Sequence, residues 1–127
     1  MLRTTFTGEW MPTIRELVSA IAQREGVEAA IVLGHDGLLI DGSTTGDLDA
    51  ELLAALTPGI VAAAGEFAAV SKRGAFVSAI IELDRGIALL SSLTADALLL
   101  VLVHPSANVG SLLYEVRSHR GHIASLV

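Results

Sequence analysis

Ala97-Leu98-Leu99-Leu100-Val101-Leu102-Val103 is an unbroken apolar run, closed by His104-Pro105. A membrane-spanning helix needs about 20 apolar residues, so this run is too short to be one. A short apolar run bounded by turn signals fits a strand covered on both faces. The run therefore predicts a central strand, β5, in a sheet with helices on both sides.

The neighbouring residues fill in that sheet. Phe76–Leu83 and Ile87–Leu93 read as strands β3 and β4, joined by Asp84-Arg85-Gly86. Thr94-Ala95-Asp96 turns β4 into β5. Further back, Val27–Leu33 and Leu38–Asp41 flank Asp36-Gly37 and read as a hairpin of β1 and β2. Asp-Gly predicts a type I′ turn there, with positive φ at both central residues. The order α-β-β-α-β-β-β-α and two hairpin groups predict a five-stranded antiparallel sheet.

Three helices complete the pattern. Thr13-Ile14-Arg15-Glu16 has the form of a capping box, so α1 is expected to start at Thr13. Ile14, Leu17, Val18 and Ile21 form its stripe, and Gly26 is the expected stop. Residues 1–12 lack helical period and are expected to be a flexible N-terminal arm or a short extra strand. Helix α2 is expected from about Leu48 to Val70, capped by Asp47 or Asp49 and kinked or broken at Pro58. From Leu52 to Ser71 its only formal charge is Glu66, and small residues such as Ala62, Ala63 and Gly65 are dense. A helix apolar nearly all round must be buried on more than one side. Helix α3 is expected to begin near Ser106 or Asn108 and to end at Gly121, with Val109, Leu112, Leu113 and Val116 as its stripe.

The 127 residues fit one domain. Hydrophobic residues are 52% but aromatics only 4%, so the core is aliphatic. Charged residues are 17% and mean hydropathy is +0.63, high for a soluble monomer. The chain must then cross a membrane or hide surface in an interface. Pro58-Gly59 interrupts the other long uncharged stretch, and Met1–Pro12 has no long apolar signal core. The expectation is a cytoplasmic protein with no membrane partner. A net charge of −6 with one lysine argues against nucleic acid and anionic lipid.

Catalytic and cofactor signatures are missing from the sequence. It has no Gly-Lys-Ser/Thr loop and no Gly-x-Gly-x-x-Gly. His119 and His122 have i, i+3 spacing for a metal, but at a frayed helix end beside Arg120 they read as solvated. His35-Asp36 reads as turn chemistry and His104 as a strand end. Asp84 and Asp96 read as turn residues, Glu82 as a gatekeeper on an edge strand, and the Asp41–Asp49 cluster as a solvated loop. Neither cofactor nor metal is expected, and a hydrolase built on His35 or His104 has no recognisable nucleophile. Arg73 and Arg85 could reach a partner's phosphate site, although a solvated loop charge is the simpler reading.

The α1–hairpin–long alanine-rich α2 order, the strands around Asp84-Arg85-Gly86, the apolar β5 and the segment Val103-His104-Pro105-Ser106-Ala107-Asn108-Val109-Gly110 together resemble the roadblock family, the dynein light-chain roadblock type and its bacterial relatives. The resemblance runs from about Thr13 to Gly121, so residues 13–127 are taken as one roadblock-like domain. It implies an α/β, profilin-like three-layer sandwich of strand order 2-1-5-4-3, with α2 on one face and α1 and α3 on the other. It implies a non-enzymatic protein that dimerises through β3 and α2 and regulates or scaffolds a Ras-like small GTPase. The interface residues so implied are Leu53, Leu56, Ile60, Ala64 and Phe67 on α2, and Phe76, Val77, Ala79, Ile80 and Ile81 on β3. Lys72, Arg73 and Arg85 are candidate partner contacts. Pro58-Gly59 departs from a straight interface helix.

The residues supply a separate reason for a dimer. An edge strand apolar on both sides would template aggregation, and pairing it across a two-fold axis removes the edge. The alternative is that α2 is a core helix under a loop. The alternative function is a small-ligand sensor or binding module, which predicts a Leu- and Ala-lined cavity holding a polar group.

Overall fold

The computed structural model describes residues 6–126, and the side chains of 14–121. The elements are α1 (Phe6–Ala22), β1 (Val27–Gly34), β2 (Leu39–Thr44), α2 (Ala50–Val70), β3 (Ser78–Leu83), β4 (Gly86–Thr94), β5 (Ala97–Val103) and α3 (Val109–Leu126). The strands form one antiparallel sheet of order β2-β1-β5-β4-β3. β5 is central, as its continuous apolar run requires, and β3 is an edge.

Two apolar clusters sandwich the sheet. On one face Ile14, Leu17, Val18 and Ile21 of α1 and Leu112 and Val116 of α3 pack on Ala30, Val32, Leu89, Leu99 and Val101. On the other, Ala54 and Val61 of α2 pack on Ala29, Ile31, Leu33, Leu90, Leu98 and Leu100. β5 feeds both clusters because successive side chains alternate between faces.

Several local expectations need correction. Helix α1 begins at Phe6, not Thr13, so Pro12 lies inside it and residues 6–12 of the expected arm are helical. Residues 1–5 lie outside the described residues. α1 ends at Ala22. Gly26 instead lies in the turn just before β1, at φ +88°, where a Cβ would come within 3.2 Å of Ala107 Cβ. Its missing side chain lets the loop before α3 approach. The β1–β2 turn is not type I′. Gly37 N–H donates to Gly34 O (2.9 Å), Gly34 N–H to Leu38 O (2.9 Å), and Gly37 alone has positive φ there. That is a three-residue loop with glycine in the left-handed position, the other hairpin that Asp-Gly serves. Asp36 Oδ1 accepts from Leu38 N–H, so it still supports the turn.

α2 is one helix through Pro58, so no break occurs. Pro58 removes the donor to Ala54 O. The preceding Thr57 is buried and donates its hydroxyl to Leu53 O at 2.8 Å. Asp49 is the N-cap, accepting from Leu52 N–H at 3.1 Å. α3 is capped by Asn108, which accepts from Ser111 N–H at 3.0 Å, and it continues past Gly121. An isolated glycine inside a helix costs only about 1 kcal/mol, which packing elsewhere overrides.

Candidate interaction surface

The continuity of α2 removes one ground for setting a membrane aside. By length and composition the helix is apolar enough to cross a bilayer. In the fold it lies against the sheet. It packs mainly on β1 and β2 and buries Ala54, Thr57 and Val61. Ala55 and Pro58 abut the β1–β2 turn, where a Cβ on Gly37 would lie 3.4 Å from Ala55 Cα and 3.6 Å from Pro58 Cγ.

The large side chains of α2 point elsewhere. Leu52, Leu56, Ile60, Phe67 and Val70 are exposed, Phe67 by 74% and Val70 by 85%. At 3.6 residues per turn, these five and Ala63 fall on one stripe about 80° wide. Glu51, Ala55, Ala62 and Glu66 occupy the opposite flank, beside the β1–β2 turn. The apolar stripe therefore lies on the flank of α2 away from Ala55 and the β1–β2 turn.

β3 also leaves apolar side chains uncovered. Phe76, Ala79 and Ile81 are half-buried against the α2-side cluster. Val77 and Leu83 share the parity of Ala79 and Ile81 and are about half exposed. Ile80 pairs with Leu89, a residue of the α1/α3 cluster, so it lies on the other face and is 51% exposed. Of the α2 residues named from sequence, Leu56, Ile60 and Phe67 are on the open stripe, while Leu53 and Ala64 are half-buried and Leu53 packs inward. Leu52, Val70 and Leu83 extend the surface and were missed. The seven-residue spacing Leu56-Ala63-Val70 was the signal that could have found them.

The polar candidates are scattered. Lys72, Arg73 and Arg85 are all exposed, the first two at the end of α2 and the third in the β3–β4 turn. His104 Nδ1 lies 2.8 Å from Ser106 Oγ and accepts from Ser106 N–H, which staples a turn. His119 Nδ1 lies 3.0 Å from Glu115 O. The His122 side chain lies outside the described residues. Among the described residues no three His, Asp or Glu side chains are placed to hold a metal.

A cleft of about 580 Å³ opens between the end of α1 and the start of α3. Its lining mixes apolar residues, Val27, Val103, Ala107 and Leu112, with polar and charged ones such as Arg24, Ser106, Asn108 and Ser111. Arg24 is already engaged there, 2.6 Å from Glu115 Oε1 and 2.5 Å from Ser111 Oγ.

The sequence matches the family model of the Roadblock/LC7 domain over residues 13–103. The chain belongs to the roadblock family. Two uncharacterised proteins of Methanocaldococcus jannaschii are each 30% identical to it over 97 residues, 76% of this chain and 84% of theirs. The Roadblock/LC7 domain from Streptomyces avermitilis superposes with a TM-score of 0.78 at 23% identity, covering 87% of this chain and 93% of that one. The gliding protein MglB from Thermus thermophilus superposes at 0.82 with 16% identity, covering 94% and 91%. At these identities the two structures speak to the fold, and they share the roadblock sandwich found here. In this roadblock chain the stripe of α2 and the edge of β3 both leave large apolar side chains uncovered.

Proposed function

We propose that the protein is a cytoplasmic, non-enzymatic homodimer that regulates or scaffolds a Ras-like small GTPase. The observation that carries the reading is the set of large apolar side chains that α2 and the β3 edge leave uncovered. Leu52, Leu56, Ile60, Phe67 and Val70 of α2, with Val77 and Leu83 at β3, are all exposed, and monomers rarely leave large apolar patches in water. Each hundred Å² of such surface covered contributes roughly 2.5 kcal/mol before the cost of association. Two copies related by a two-fold axis cover each other's stripe and pair their β3 edges with one self-complementary contact. The roadblock resemblance supports the GTPase as partner. The acidic net charge and the absence of a phosphate-binding loop in the sequence fit a protein that contacts a nucleotide-binding partner without binding the nucleotide itself.

Pull-down with the small GTPases of the same genome, loaded with GDP or a GTP analogue, tests this together with a GTPase assay. Capture of one GTPase, with or without a changed hydrolysis rate, is the expected outcome. No capture in either nucleotide state would remove the GTPase from the proposal.

A further inference from the structure

We infer that Ile80 lies on the two-fold axis of the dimer, opposite Ile80 of the second copy. This deepens the dimer reading above and rests on it. The backbone of β3 decides which residues are free to pair. Leu83 and Gly86 are opposite each other across the two-residue Asp84-Arg85 turn, and Ser92 N–H donates to Val77 O at 2.9 Å. Closing pairs of such hairpins are hydrogen-bonded, and bonding alternates along an antiparallel strand. Residues of odd number in β3 therefore bond to β4. Ser78, Ile80 and Glu82 turn their N–H and C=O groups outward along the sheet edge.

A second β3 adding antiparallel across a two-fold axis must bond through these same three residues. Only a few registers satisfy that, and side-chain chemistry separates them. Centring on Glu82 sets two carboxylates face to face. Centring on Ile81 sets Ile80 against the partner's Glu82. Centring on Ala79 sets Ile80 against Ser78 and Glu82 against Phe76. Centring on Ile80 matches like with like. The half-exposed Ile80 meets itself, and Ser78 can donate its hydroxyl to the Glu82 opposite. On the α2 face Ala79 meets Ile81 and Val77 meets Leu83. Cross-strand pairs carry the stability of a sheet, and a register slip of one residue would flip every one of them. Ile80 is also the midpoint of the span from Val77 to Leu83 that bonds to β4.

The chain contains no cysteine, so every disulfide formed reports an introduced one. Ile80→Cys, Ala79→Cys and Ile81→Cys are made singly and oxidised, with sedimentation of each reduced form alongside. Directly opposed residues of a hydrogen-bonded pair have Cα atoms about 5.5 Å apart, within disulfide reach. The expected result is rapid cross-linking of Ile80→Cys to itself, and of Ala79→Cys to Ile81→Cys in a mixture. Nitroxide labels at 78, 80 and 82 should show their shortest inter-label distance at 80, with 78 and 82 equal. Faster self-cross-linking of the Ala79→Cys or the Ile81→Cys variant than of Ile80→Cys would overturn the register and leave the dimer standing. A monomeric parent protein would overturn both.

Discussion

The two faces of the sheet use the same aliphatic side chains to different ends. Under α1 and α3 the helix stripes are sealed, with Ile14, Leu17, Ile21 and Val116 fully buried. Under α2 the buried contacts are the small or short residues Ala54, Thr57 and Val61, with Leu53 packing partly inward, while Leu52, Leu56, Ile60, Phe67 and Val70 face away. A helix that puts mainly small residues on its own sheet and most of its large ones outside is placed to complete its core with another molecule. Mean hydropathy does not distinguish these uses. Burial does.

The sharpest break in the comparison is a large-to-small change on the sealed face. Leu17→Ala leaves a cavity between α1 and the sheet and should lower the unfolding free energy by about 2–5 kcal/mol. Urea unfolding at fixed protein concentration measures it, and the folded fraction should still self-associate. A loss below about 1 kcal/mol would mean that this face is not the sealed core described here.

The complementary change is Phe67→Asp on the open face. Phe67 is largely exposed, so the fold should lose no more than about 0.5 kcal/mol. Self-association should weaken by at least about 30-fold, the effect of losing about 2 kcal/mol at an interface centre. A sedimentation dilution series reads this. Unchanged sedimentation would take Phe67, and the stripe with it, out of the contact.

The central place of β5 was legible because it declares itself locally, whereas the full strand order came from the roadblock resemblance. Seven apolar residues bounded by Asp96 and His104-Pro105 can only be a doubly covered strand in a chain this short. The orientation of α2 was not legible. With Glu51, Thr57 and Glu66 its only polar residues, the helix has no polar face to mark its outside, and only its fit against Gly37 and the sheet decides which flank is free. Pro12 before Thr13-Ile14-Arg15-Glu16 looked like a helix start, and Gly121 like a stop, because local signals carry about 1 kcal/mol and packing outweighs them. Asp36-Gly37 marked a turn but not its type, since the pair serves both a two-residue loop and the three-residue loop that formed.

The smallest expected effect tests whether the end of α2 belongs to its own fold or to a partner. Lys72 N–H donates to Ala69 O (3.1 Å) and Arg73 N–H to Ala68 O (2.9 Å), closing the helix with two bonds. This closure places Lys72 in the left-handed region at φ 58°, the one non-glycine with positive φ among the described residues. Glycine is the usual occupant, and a residue with a Cβ costs roughly 1 kcal/mol there. Lys72 is exposed, so no buried contact of its side chain offsets that cost. Lys72→Gly should therefore raise the unfolding free energy, by about 0.5 kcal/mol once the looser unfolded chain is counted. If Lys72 is a partner contact in the proposed function, the same variant should also bind the small GTPase more weakly, because the exposed cation is removed. Thermal melts and a binding titration on one preparation separate the two readouts. A more stable variant with unchanged affinity would take Lys72 out of the partner contacts and leave Arg73 and Arg85 to be tested alone.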